Sequence, residues 1–197
     1  MAETETEIEH RIHLRIAEQG KLHALQGDFA RAMGCYRIAM RLTVEAEDPE
    51  AFFRHYLECL VEALEQDGSL DAVLKYCDEV EALQKRSGLS NELMRYDWAV
   101  LQQRRGVVHL KLGNREAAET ALAEACRVAG ELDAELPLAD TLLRWCRARL
   151  HIDTRRLQEE QQSHGYFSVR AETVRPDIAT TLSDSEIFGP MAMPQNR

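Results

Sequence analysis

The residues best equipped for chemistry are a histidine and a cysteine one helical turn apart. In "FFRHYLECLVEALEQ", residues 52–66, His55 and Cys59 stand at i, i+4, a spacing that presents two zinc ligands on one helix face, and Cys77 on a neighbouring helix would supply a third. A closed zinc site takes four ligands, and no CxxC or HxxxH pair accompanies these residues. The expectation is that all five cysteines (Cys35, Cys59, Cys77, Cys126 and Cys146) are reduced, small apolar core residues rather than metal ligands or half-cystines. Nucleophilic catalysis fares no better. His10 and His13 lie near an acidic end, but no serine or cysteine beside them sits in a strained turn, and no glycine-rich phosphate loop follows a strand. Neither an enzyme nor a cofactor is expected.

Charge offers a different kind of site. The formal net charge is −10, and between residues 45 and 82 twelve acids face only Arg54 and Lys75. Such a centre repels phosphate backbones, which argues against nucleic-acid binding. Within it Glu58, Glu62 and Glu65 follow one helical stripe at i, i+4, i+7 and are expected to be exposed. Five arginines between 144 and 156 read as a solvated face.

The elements that carry these residues are helical. Alanine and leucine are abundant, aromatic residues make up only 6%, and β-branched runs are missing, so closely packed helices are favoured over sheets. Periodicity and stop signals predict helices at about 5–26, 29–46, 49–66, 70–87, 91–112, 115–132 and 137–162. Asp28 is expected to cap the second helix, and Asp48 with Pro49 to open the third. Turn glycines at 27, 68 and 113 define hairpins 5–46, 49–87 and 91–132 spaced by 41 and 45 residues, a period that marks stacked helical repeats. The repeat also reaches single residues, because "GKLHALQG" at 20–27 returns as "GVVHLKLG" at 106–113. His23 and His109 are expected to be half-buried between helices rather than to bind metal. Gly20 and Gly106 cost ~1 kcal/mol each in a helix interior and are expected where a neighbouring helix comes close, with Ala32, Ala39, Ala118 and Ala125 as the opposite wall.

These positions carry a family likeness. Gly20, "GDF" at 27–29, Ala32, Tyr36 and Ala39 in the first hairpin, and Gly106, "GN" at 113–114, Ala118, Leu122 and Ala125 in the third, resemble the pattern of tetratricopeptide repeats (TPR) of the longer kind. The middle hairpin keeps size and spacing but not identity, and the usual tryptophan and closing prolines are absent. The likeness covers about residues 10–150. It implies an all-α, right-handed TPR-like solenoid over residues 1–162, with 137–162 as a capping helix and 163–197 as an irregular tail, flexible or docked on a partner. In that family the first helix of each unit lines a groove that grips a peptide. Position by position, this implies groove residues Lys21, Ala24 and Leu25 from the first unit, His55, Glu58, Glu62 and Glu65 from the second, and Gln103, Val107, Leu110 and Lys111 from the third.

The functional expectation is a protein–protein interaction adaptor or scaffold holding a basic or amphipathic partner segment. The alternatives are an assembly or secretion chaperone of the same fold and a peptide-sensing regulatory module. The tail keeps Ile187, Phe188, Met191 and Met193 and is expected to attach to a partner or a neighbouring copy, with Phe188 as its anchor and homo-oligomerisation through it or the last helix left open. No apolar run approaches the ~18 residues of a membrane span, and "MAETETEIEH" lacks the regions of a signal peptide, so a cytoplasmic location is expected.

Overall fold

The computed structural model of the chain describes residues 11–88 and 91–189. The described residues are helical and contain no strand. Eight helices come first: α1 (Ile12–Leu25), α2 (Phe29–Glu45), α3 (Glu50–Gln66), α4 (Leu70–Ser87), α5 (Glu92–Lys111), α6 (Arg115–Gly130), α7 (Pro137–Arg147) and α8 (Thr154–Ser163). After them come two 3-10 turns (Ala171–Thr173 and Pro176–Ile178) and a short α9 (Asp184–Phe188). No described helix is long and apolar enough to cross a membrane.

The chain forms two compact units. Among the described residues, the first joins those up to Asp67 to those from Ser168 onward, and the second is Gly68–Phe167. The first cut falls at the turn of the expected middle hairpin. The second falls at 167/168, and the described segment after Phe167 packs on α1, α2 and α3.

In the first unit α2 packs against both α1 and α3. A Cβ on Gly20 would lie 2.7 Å from Cε1 of Tyr36, so the missing side chain is what lets the fully buried Tyr36 lie across α1. The α1–α2 turn closes with Gly27 at φ 77, where the Gly27 N–H donates to the Ala24 carbonyl and the Asp28 N–H to that of His23. Asp28 then caps α2 by accepting the Arg31 N–H at 3.1 Å.

The second unit repeats this construction. Gly113 has φ 77, its N–H donates to the Leu110 carbonyl, and the Asn114 N–H donates to that of His109. A Cβ on Gly106 would lie 2.5 Å from Cγ of Leu122. In both hairpins the alanines flank the contact, and the larger residue between them, Tyr36 or Leu122, meets the glycine. Leu138, Leu142 and Leu157 complete this unit's core with Val107 and Val128.

Two local expectations are corrected. Asp48 does not cap α3. Pro49 occupies the cap position, and the Asp48 carboxylate turns instead to His13 Nε2 at 2.9 Å and Arg11 Nε at 3.4 Å. The helix expected over 137–162 is two helices. The chain leaves α7 through Arg149 in the left-handed region (φ 54), Arg115 donates to the Leu150 carbonyl at 2.6 Å, and Asp153 caps α8 by accepting the Arg156 N–H at 2.8 Å. These bonds satisfy the ends of two helices where an apolar pattern alone reads as one.

Candidate functional site: a channel that holds an extended segment

The acidic stripe of α3 is not a solvated surface. Glu62 and Glu65 are 1% and 2% exposed and Glu58 is half-buried, which overturns the expected exposure of all three. A buried carboxylate needs hydrogen bonds to offset its lost hydration. Glu62 finds them in the backbone of the segment after Phe167: Oε1 accepts the Ser168 N–H at 2.7 Å and Oε2 accepts the Val169 N–H at 3.2 Å.

A second carboxylate continues the path on α1. Glu18 Oε2 accepts the Arg175 N–H at 2.6 Å, and its Oε1 receives the Lys21 ammonium at 2.7 Å. Lys21, expected to line an open groove, is itself buried and neutralises this carboxylate. The Thr180 N–H then donates to the Arg15 carbonyl at 3.1 Å. The segment therefore crosses α3 and then α1 while donating main-chain N–H groups to both.

Apolar anchors alternate with these bonds. Val169 and Val174 are buried in one cluster with Ala24, Ala32, Tyr36, Cys59 and Ala63. Further on, Ile187 is buried with Ile16, Cys35, Ala39 and Tyr56, and its Cγ2 meets the bare Cα of Gly34 on α2. The Arg31 guanidinium receives both ends of the Asp184 carboxylate, at 2.9 and 3.0 Å, while holding Asp28. That bond to Arg31 keeps the Asp184 carboxyl below the usual carboxylate range. Ser183 and Glu186 close a capping box that shapes α9.

Phe188, expected to anchor the tail on a partner or a neighbouring copy, is 56% exposed, and Ile187 is the residue buried against the chain's own helices. The register of α9 decides this, since adjacent residues of a helix point in different directions and only Ile187 faces the gap left by Gly34. Met191 and Met193 lie outside the described residues.

His55 is exposed beside Cys59, with Nε2 3.8 Å from Sγ, and no cluster of metal-binding groups occurs among the described residues. Burial, with Glu62 nearby, pushes the Cys59 thiol up to about 12, and burial pushes that of Cys77 up to about 11. Neither thiol is held as a thiolate at neutral pH. In the second unit the remaining groove candidates support packing. Gln103 is buried and accepts the Ala139 N–H at 3.1 Å at the start of α7, and Lys111 stands 5.7 Å from the Phe167 ring centre. His23 and His109 are half-buried as expected. Burial is the largest cause lowering the pKa of each.

One constellation went unread in the sequence. His13 Nε2 bonds the Asp48 carboxylate at 2.9 Å, and Nδ1 shares a hydrogen bond with the Tyr56 hydroxyl at 2.8 Å. An acid–histidine–hydroxyl row is the arrangement that activates nucleophiles. Here His13 and Tyr56 are 2% and 1% exposed, which leaves the hydroxyl no face toward a substrate, and the row ties α1 to α3 and the loop before it. Glu18 and Gly34 were also missed. A third helix-interior glycine was the available signal for Gly34, whereas the spacing of Glu18 does not distinguish it from a solvated carboxylate.

Comparison with protein-family models, with curated proteins and with solved structures yields no match.

Proposed function

We propose that this chain is a non-enzymatic protein-interaction adaptor whose first unit receives an extended polypeptide segment. The observation that carries this reading is the buried Glu62 carboxylate accepting two consecutive backbone N–H groups more than a hundred residues away in the chain. Main-chain recognition of this kind is how a protein holds an extended peptide without demanding one sequence.

The TPR-like solenoid belongs to the same reading. It is supported by the α1–α2 and α5–α6 hairpins, whose turns and close contacts use equivalent atoms. Free cysteines held as protonated thiols suit the reducing cytoplasm. The proposed partner chemistry differs from the basic segment inferred from charge. Glu62 and Glu65 are buried, and Glu18 already holds Lys21, so aliphatic residues on an extended backbone replace cationic ones as the main requirement.

Cross-linking mass spectrometry of the full chain purified with its partners tests the reading. A stoichiometric partner with cross-links concentrated on α3 and residues 168–189 is expected. A chain that purifies without any stoichiometric partner, or whose cross-links avoid this face, contradicts it.

A further inference from the structure

Of the residues from 168 to 189, only Val169, Val174 and Ile187 are buried; the rest are exposed or half-buried. A core element buries a continuous face, whereas a bound peptide is held by a few anchors with main-chain bonds between them. This segment has the second pattern. Glu62 and Glu18 take backbone N–H groups, which any non-proline residue offers at those positions. Selectivity is left to the small apolar sites filled by the two valines and to the gap over Gly34. Arg31 adds an electrostatic check by holding Asp184.

Resting on the adaptor reading above, we propose that residues 168–189 are an internal stand-in for the partner. The channel receives from another protein an extended segment with aliphatic side chains at the places of Val169 and Val174. That segment ends in a helical turn carrying an acid and an aliphatic residue at the places of Asp184 and Ile187. The chain's own segment must leave before the partner enters. Tethering gives the internal segment an effective concentration of order mM, so it excludes all but strong or locally concentrated competitors. Its sparse anchoring puts it among the parts of the molecule that open first.

The test uses the full chain and a fluorescent synthetic peptide of residues 168–189, with binding read by anisotropy. Ile187→Asp weakens the internal segment without altering its seat. The peptide is expected to bind this variant at least about tenfold more tightly than the wild type, as removal of a competing internal ligand requires. Adding Gly34→Leu to the variant is expected to abolish the gain. Equal affinity for wild type and a folded Ile187→Asp chain, or no binding to either, overturns the proposal. If Ile187→Asp does not fold, a wild-type chain carrying a protease site at the exposed Gly165 turn is cut after folding. The labelled peptide is then expected to exchange with the cut segment, and failure to exchange overturns the proposal. A panel of unrelated extended peptides separates the two readings. If some of these bind Ile187→Asp while the 168–189 peptide does not, the adaptor reading stands and the stand-in falls. If no peptide binds, both fall.

Discussion

The side chain of Ile187 fills the space that a Cβ on Gly34 would occupy. This pairing across more than 150 residues gives the late segment a defined seat on α2 and sets the register in which Asp184 reaches Arg31.

Glycine substitutions test the three close contacts. Gly→Ala in an open helix interior stabilises by ~0.5–1 kcal/mol. At Gly20 and Gly106 the new methyl would meet Tyr36 and Leu122 within 3 Å, and overpacking typically costs ~1–3 kcal/mol, so the clash wins. Gly20→Ala and Gly106→Ala are expected to lower urea midpoints, whereas Gly130→Ala, with no neighbour within 4 Å of its Cβ, is expected to leave the midpoint unchanged or raise it. At Gly34 the methyl should expel Ile187, visible as a shift of its methyl resonances toward solvent-exposed values.

Glu62→Gln keeps one acceptor for the segment and replaces the other with an NH2 group that cannot accept. Loss of a charge-assisted bond at a buried site is expected to cost ~1.5–3 kcal/mol in chemical denaturation, and Glu62→Leu more. An unchanged midpoint for both variants would mean that the carboxylate does not hold the segment.

Tyr56→Phe removes the hydroxyl that satisfies His13 Nδ1 inside the protein. The expected cost is ~1–3 kcal/mol, the penalty of a buried polar atom left without a partner. A wild-type melting temperature would show that the row from Asp48 to Tyr56 contributes nothing to stability.

Alkaline pH should weaken the fold through its thiols. Burial raises Cys35 to about 11 and Cys59 to about 12, while an unfolded thiol ionises near pH 8.5. Above that pH the unfolded chain releases protons that the folded chain retains, so the favourable contribution present below it is lost as pH rises toward the folded values. Each thiol contributes a slope of ~1.4 kcal/mol per pH unit in that window. Unfolding free energies measured between pH 8 and 10 should fall, and Cys59→Ala should make the fall shallower by one thiol's share. A parallel slope in the variant would contradict the burial of Cys59.

The hairpins were legible in the sequence because their information is local. Gly27 and Gly113 follow their helices at the left-handed position, and Asp28 caps the next helix through a bond three residues away. Gly20 and Gly106 announced close contacts correctly, though not that Tyr36 and Leu122 would fill them. The channel was illegible for the opposite reason. The stripe of Glu58, Glu62 and Glu65 looks the same whether water or a distant backbone satisfies it, and only the fold brings Ser168 and Val169 to Glu62. The burial of Ile187 was hidden for the same reason, since the gap over Gly34 has no meaning until α9 lies over it.

Amide hydrogen exchange on the full wild-type chain tests the central claim most directly, that residues 168–189 lie in the channel through their own backbone. The Ser168, Val169, Arg175 and Thr180 N–H groups should exchange at least ~100-fold more slowly than in the free peptide, yet faster than those in the middle of α2, because the segment opens before the helices do. Exchange of these four amides at free-peptide rates would contradict the account.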